Sequence, residues 1–379
     1  MGEFERVVAE LYGMPRLGTD LGRFAKVLGR LGEPQDRFDS VNIVGTNGKG
    51  STAAMVHSIM RESGLKPGLF TSPHLQDVRE RIIVDGRLIG KKKFVRLFDE
   101  AVAAGKMTFF EVMAAMAYLH FADSGVDYGV LEAGIGGRLD PTRNSRQRIV
   151  GICSIARDHE DLLGRTISQI AYEKAGIVKN GVSVITLEEG AAAKQIKKAC
   201  DTVGAKVVRP EIYREKIGLN GSWQVKNASI AAGICKGIGI AEEHIRKGIG
   251  NVYWPCRLEK VSKKVMLDVA KNPAAWRQLS ARVDSEGFDD LCVLFACKDG
   301  KRVGRGSFPK SAGRIIATSF PSPPKCMDPK AIGRIAGCEV IYDLEDAFSE
   351  ANGHKNVIVY GSFFLAGPIS KKFYTITSI

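Results

Sequence analysis

Residues Val41–Met60 read VNIVGTNGKGSTAAMVHSIM. A strand-like apolar run enters a loop carrying Gly45, Gly48, Gly50 and a single lysine, Lys49. A helical pattern leaves it, with Met55, Ile59 and Met60 spaced to share one buried face. Backbone N–H groups of Gly45 to Gly50, at the positive end of a helix, form a cradle for phosphate oxygens. Lys49 adds a point charge for the terminal phosphates. The common phosphate loop ends in Gly-Lys-Ser/Thr, whereas here Gly50 separates Lys49 from Ser51. The sequence around the loop has to show which phosphate chemistry uses this variant.

Outward from the loop, strand-like and helix-like segments alternate, the pattern of parallel sheets with crossover helices. Strands are expected at Ser40–Val44, Gly68–Thr71, Tyr128–Glu132, Ile149–Ile155 and Val182–Thr186. Helical patterns fall at Thr52–Ser63, Lys92–Ala104, Phe110–Ala122 and Ser168–Ala175. The register changes near Pro255, where the domain boundary is placed. A second alternating series follows, with strands expected at Val265–Val269, Leu291–Ala296, Arg314–Thr318, Glu339–Tyr342 and Asn356–Tyr360. It is patterned like a smaller Rossmann-like domain but lacks the GxGxxG fingerprint of dinucleotide binding.

The chain has 379 residues, room for two domains, and a net charge of +13. Its lysines and arginines are dispersed, and no basic helix interleaves with aromatics, so acidic small molecules are the expected partners and nucleic acid is not. No apolar run is long enough to span a bilayer and the first residues do not read as a signal peptide, so a cytoplasmic location without membrane attachment is expected. The eight cysteines contain no CxxC pair and read as reduced, packed thiols.

A nucleotide phosphate calls for magnesium, and magnesium for oxygen ligands at strand ends. Glu132 ends the strand of YGVLEAGIGGRLD, Ser72 follows that of GLFTSPHL, and Asp158 and His159 follow that of GICSIARDHEDLLG. All are expected on the same sheet edge as the phosphate loop. Lys174, beside Glu173 near a helix end, reads on its residues alone as half of a solvated ion pair.

Taken together, VGTNGKGST, LFTSPHL, TFFEVMAA, VLEAGIGGRLD, SIARDHEDLLGRTISQIAYEKAGIVK, WQVKNA, CRLEKV and VYGSFFLAG resemble, in order, the folylpolyglutamate and dihydrofolate synthases of the Mur ligase superfamily. The resemblance implies an α/β fold: a P-loop ATP-binding domain with a mostly parallel sheet (1–255) and a smaller Rossmann-like domain (256–379). It implies an ATP-dependent amide ligase of folate metabolism, acting as a monomer on ATP, L-glutamate and dihydropteroate or a reduced folate. Asn47, Gly48, Lys49, Gly50 and Ser51 would hold the ATP phosphates, with Asn227, Arg257 and Asp268 contacting ATP from the domain interface and the second domain. Ser72 and Glu132 would bind one magnesium ion, and Glu132 and His159 a second. A potassium ion is also compatible with the family pattern. Lys174 would carry a carbamate and act as an anionic oxygen ligand, which reverses the reading of it as a solvated lysine. Lys49, Glu132, His159 and Lys174 would then form the catalytic group. Asp20, Leu21, Gly22 and Arg23, Thr108, Phe109, Phe110 and Glu111, and Leu139, Asp140 and Pro141 would line the pterin side of the site.

Two stretches depart from the family pattern. DVAKNP has Lys271 where the family carries the histidine that, with a serine matching Ser362, is implicated in holding the incoming amino acid. LDPTRN has Pro141 in place of alanine and Arg143 as an insertion, which hints at a changed acceptor. The region Leu187–Gly221 is also shorter than usual. An alternative function, a nucleic-acid-stimulated ATPase, leaves Glu132, His159 and Lys174 without a job.

Overall fold

The computed structural model describes residues 2–16, 18–321 and 324–379. The described residues form two sheets. In the first, β1 (Asp39–Val44), β2 (Pro67–Phe70), β3 (Ile82–Val84), β4 (Arg87–Leu88), β5 (Tyr128–Glu132), β6 (Gln147–Ile152), β7 (Ser183–Thr186) and β8 (Lys206–Val208) run in the order β4-β3-β2-β5-β1-β6-β7-β8. All are parallel except β3 and β4, which add an antiparallel edge beside β2. In the second sheet, β9 (Glu259–Lys260), β10 (Val265–Leu267), β11 (Leu291–Phe295), β12 (Ala312–Ala317), β13 (Glu339–Val340) and β14 (Asn356–Tyr360) take the order β13-β12-β11-β14-β10-β9. Only β9 is antiparallel there.

β1 and β5 are buried on both faces, as central parallel strands must be, and β1 hydrogen-bonds its buried Ser40 to Asn42 and Ser145. The helix after the phosphate loop, Lys49–Glu62, was expected to bury one face. It is buried on every side except near its C-terminal end, enclosed by the sheet and by helices Gln224–Gly237 and Glu242–Asn251. Ser58 secures it there by donating to the Gly248 carbonyl at 2.8 Å. Those two helices, like Glu3–Gly13, Leu21–Arg30, Gly190–Thr202 and strands β3, β4, β8 and β9, are additional to the elements expected from sequence. The strand expected over Ile149–Ile155 stops at Ile152, because Ser154 turns its carbonyl toward the phosphate loop. The strand expected over Glu339–Tyr342 pairs only through Val340.

The chain leaves the first sheet's helices at Asn251 and enters β9 at Glu259; between them Cys256 and Leu258 adopt left-handed backbone, φ 56° and 48°. No single helix among the described residues is long and apolar enough to cross a membrane. All eight cysteines are free thiols. What the fold does for function is to turn the C-terminal edges of both sheets toward each other. From the first edge come the phosphate loop, Ser72, Glu132 and His159; from the second come Asp268–Lys271, Lys298–Lys301 and Ser362. Asn272 joins the two edges, exchanging amide hydrogen bonds with Asn47 at 2.8 and 3.3 Å and donating to Asp158 at 3.2 Å.

Candidate active site

The phosphate loop is narrower in its donors than its glycines suggest. The Thr46 and Asn47 N–H groups both donate to the Ser154 carbonyl, at 2.8 and 3.2 Å, so the free donors lie at the helix start, Gly48 to Ser51. Gly48 adopts φ +88°, and a Cβ there would fall 2.2 Å from Asn227 Oδ1. Gly50 has ordinary helical backbone, but a Cβ would stand 3.2 Å from Arg257 Nη2, 3.3 Å from Trp254 Nε1 and 3.5 Å from Glu132 Oε2. The residue that separates Lys49 from Ser51 is thus small because Arg257 and Trp254 close over it. The two glycines predict different variants. Gly48→Ala should lose about 1–3 kcal/mol of stability, read by thermal unfolding, through left-handed strain and the Asn227 clash. Gly50→Ala should fold normally and weaken phosphate binding at the loop, since the end of the long Arg257 side chain yields first.

Lys49 is 8% exposed and Glu132 4% exposed, their charges 3.6 Å apart. Strand register sets this pair: Glu132, the last residue of β5, lies opposite Ile43, just before the loop. The other Glu132 oxygen accepts the Ser72 N–H at 3.2 Å. A cavity of about 100 Å³ is lined by Asn47, Gly48, Lys49, Gly50, Ser51, Ser72, Glu132, Asn227, Arg257, Asp268 and Lys271. It therefore gathers every residue expected to hold ATP phosphates, together with two of the expected metal ligands. Trp223, the first residue of WQVKNA, and Gln278, which no motif marked, also line it. Asp268 is held by the Leu258 and Ala270 N–H groups, at 2.8 and 2.6 Å. Burial raises its pKa to about 6 against the pull of Arg257. Arg257 lies over the Phe363 ring at 5.3 Å.

Lys174 is not half of a solvated pair. Glu173 pairs with Arg138 at 3.0 Å, while Lys174 is 4% exposed and donates to the Gly45 carbonyl at 2.8 Å. Burial, then the charge of Lys49, lowers its pKa to about 7. His159 stands in left-handed backbone, φ 51°, with its N–H on Asp158 Oδ1 at 3.0 Å. Burial lowers the imidazole pKa to about 3, so at neutral pH its nitrogen lone pair is available. Asp158 itself is tied to the second sheet's edge by Lys301 and Asn272.

A larger cavity, about 500 Å³, adjoins the first and shares Ser72, Lys271 and Phe363 with it. Phe109, Phe110, Leu139, Asp140, Pro141, Lys271 and Ser362, the expected acceptor and amino-acid contacts, line it, and so does His159, which was expected as a magnesium ligand. Asp20, Leu21, Gly22, Arg23, Thr108 and Glu111 build its support instead. Asp20 caps helix Leu21–Arg30, Thr108 and Glu111 cap helix Phe109–Ser124 reciprocally, and Arg23 pairs with Glu111 at 2.8 Å. Asp140 is buried and accepts from the Gly134 and Thr142 N–H groups at 2.8 and 3.0 Å, which pins the loop that ends in Pro141. Burial, followed by the charge of Lys49, lowers the Lys271 pKa to about 8. Five further cations reach this cavity: Arg16, Arg81, Arg138, Lys298 and Lys301. Lys298 and Lys301 follow β11 in CKDGK, at the strand end where ligands gather, a signal available in the sequence but unused.

Among the described residues, no three His, Cys, Asp or Glu side chains cluster as a self-sufficient metal site. Of the expected magnesium ligands, Ser72 and Glu132 line the smaller cavity and Ser72 and His159 the larger, so an ion there would draw the rest of its ligands from nucleotide oxygens and water.

With this geometry in place, comparison with known proteins is specific. The Mur ligase middle domain matches residues 43–209. A probable bifunctional folylpolyglutamate synthase/dihydropteroate synthase of Haloferax volcanii is 30% identical over an alignment that takes in 96% of this chain and 50% of that protein. The chain thus spans about half the length of that archaeal relative. It covers 97% of the dihydrofolate synthase/folylpolyglutamate synthase of Bacillus subtilis, at 31% identity over 96% of its own length. A solved structure of Mycobacterium tuberculosis folylpolyglutamate synthase complexed with ADP and AMPPCP is similar at a TM-score of 0.90 and 27% identity, covering 98% of each chain. The chain belongs to the folylpolyglutamate synthase and dihydrofolate synthase family of Mur-type ligases.

Proposed function

We propose that this chain is an ATP-dependent ligase that adds L-glutamate to dihydropteroate, to the γ-glutamyl tail of a reduced folate, or to both, with an ATP-binding domain over 1–255 and a closing domain over 256–379. The observation that carries this reading is the shared wall of the two cavities. A phosphate pocket meets an aromatic, cation-lined pocket at Ser72, Lys271 and Phe363, where a phosphoryl group can pass from nucleotide to carboxylate.

In the first step an acceptor carboxylate oxygen attacks the γ-phosphorus of ATP, the bond to the β-phosphate oxygen breaks, and ADP leaves an acyl phosphate. Lys49 and the N–H groups of Gly48 to Ser51 hold the phosphates in line, and the buried site withholds water that would hydrolyse the product. In the second step the glutamate amine attacks the activated carbonyl carbon, loses a proton, and the carbon–oxygen bond to phosphate breaks. Ser72, Glu132 and His159 would hold magnesium, which when bound neutralises charge on the transferring group. Lys174, its pKa near 7, offers a neutral amine that can add carbon dioxide and become a carbamate. Lys271 and Ser362, which both line the larger cavity, receive the glutamate.

The test is ADP release by the purified protein with ATP, glutamate and either dihydropteroate or tetrahydrofolate. Release that requires glutamate and one of these acceptors supports the proposal, and release with glutamate that needs neither acceptor defeats it. Lys271 motivates a second reading, the same ligase chemistry with another amino acid or acceptor. A half-buried lysine near Lys49 and Lys301 presents a point charge, not an imidazole. A panel of amino acids in the same assay separates the two readings.

A further inference from the structure

Arg81 closes the one-turn segment Val78–Arg81 and enters β3, and its side chain borders the larger cavity while being only 8% exposed. A buried guanidinium ordinarily has a carboxylate partner. Among the described residues Arg81 has none within ion-pair distance, and the carboxylates around it are engaged elsewhere. Glu80 accepts the N–H groups of Leu75, Gln76 and Asp77 at 2.8, 2.7 and 2.6 Å. Asp77 pairs with Arg79 at 2.8 Å, and Glu132 holds Lys49 and the Ser72 N–H.

The hydrogen bond that Arg81 does make orients it. Its Nε donates to His74 Nδ1 at 2.9 Å. A guanidinium only donates, so Nδ1 accepts and the imidazole proton resides on Nε2, which donates to the Tyr12 hydroxyl at 2.9 Å. Burial, then the charge of Arg81, keeps His74 neutral. Phe109 holds the other face: Arg81 lies 5.0 Å from its centroid, Arg16 5.9 Å, and the Tyr12 ring stacks on it at 5.8 Å. The Arg81 terminal nitrogens are thereby left to the cavity beside Arg16. The Arg81 carbonyl accepts the Thr71 N–H at 3.1 Å, which puts the residue across the sheet edge from Ser72, where the phosphate pocket begins.

The geometry points to Arg81, oriented by His74 and assisted by Arg16, as the residue that receives the acceptor carboxylate about to be phosphorylated, an assignment that rests on the ligase reading above. A planar fork matches a carboxylate in two hydrogen bonds, and its place beside Ser72 presents that carboxylate to the transferring phosphate.

Arg81→Met and Arg81→Lys in the full chain test it. Arg81→Met should weaken binding of dihydropteroate and tetrahydrofolate alike by about 10- to 100-fold, the range for one charge-assisted bond. Affinity for a non-hydrolysable ATP analogue should be unchanged, and Arg81→Lys should recover part of the loss. The melting temperature of Arg81→Met should hold or rise, because an unpaired buried charge has been removed. A probe independent of the full acceptor is 4-aminobenzoate against 4-aminobenzamide by ligand-observed NMR. The unaltered protein should bind the carboxylate and not the amide, and Arg81→Met should bind neither. Weakening confined to tetrahydrofolate would move Arg81 to the glutamyl carboxylate that does not react and overturn the assignment. A lower melting temperature with acceptor affinity intact would make the residue structural. Unchanged 4-aminobenzoate binding in Arg81→Met overturns the assignment whichever acceptors are turned over, whereas failure to turn over either pterin acceptor counts against the ligase reading alone.

Discussion

Lys174→Ala is expected to lower the ligation rate by about 1,000-fold, the scale of losing one group aimed at developing charge. The protein should stay folded, because the side chain's one hydrogen bond, to the Gly45 carbonyl, carries only about 1 kcal/mol. Acetate or propionate should restore part of the rate by occupying the space of the carbamate. Rescue separates an anionic ligand from a structural lysine, which a free acid cannot replace. The pKa gives a second test. Only the neutral amine adds carbon dioxide, and burial beside Lys49 has lowered its pKa from 10.5 to about 7. Enzyme stripped of carbon dioxide should therefore regain activity with bicarbonate slowly below pH 7 and faster above it, reaching a plateau by about pH 8. A rate still climbing toward pH 10 would mean an unperturbed lysine. Full activity in Lys174→Ala would remove the carbamate from the account.

Glu132→Gln is expected to lower kcat by at least about 1,000-fold, again the scale for charge stabilisation at a reacting phosphate. The substitution keeps the shape and the acceptor for the Ser72 N–H, but it deletes the charge that balances Lys49 at 3.6 Å. An uncompensated ammonium then remains in a buried pocket, so the loss should persist at saturating magnesium. Recovery of the full rate by added magnesium would assign Glu132 to metal affinity alone. Measuring kcat across a magnesium titration decides between them.

How far the sequence reveals this site depends on how each residue is placed. Glu132, Ser72 and His159 are legible because each ends or follows an apolar run, and parallel strands deliver such residues to one edge. Lys174 was not legible from its own neighbourhood. Glu173 beside it suggests an ion pair, and only the fold shows Glu173 turned to Arg138 while Lys174 points under the phosphate loop. Asn272, Lys301 and Asp158 form contacts between residues more than a hundred positions apart, which no local pattern encodes. The phosphate loop was overestimated for a related reason. Whether a glycine-rich loop offers its N–H groups to a ligand depends on what packs behind it, and here Ser154 takes two of them. Arg81 lies among Asp77, Arg79 and Glu80 and reads as one more exposed charge; burial and the absence of a partner emerge only when the neighbouring carboxylates are seen to be occupied.

The central claim is that a phosphoryl group passes to the acceptor's own carboxylate at the junction of the two cavities. It is tested most directly with dihydropteroate labelled with oxygen-18 in its carboxylate, incubated with the enzyme, ATP and L-glutamate. The account predicts that each amide formed releases one inorganic phosphate carrying one labelled oxygen, because that oxygen attacks phosphorus first and leaves carbon second. Phosphate released without label, while amide accumulates, would contradict it.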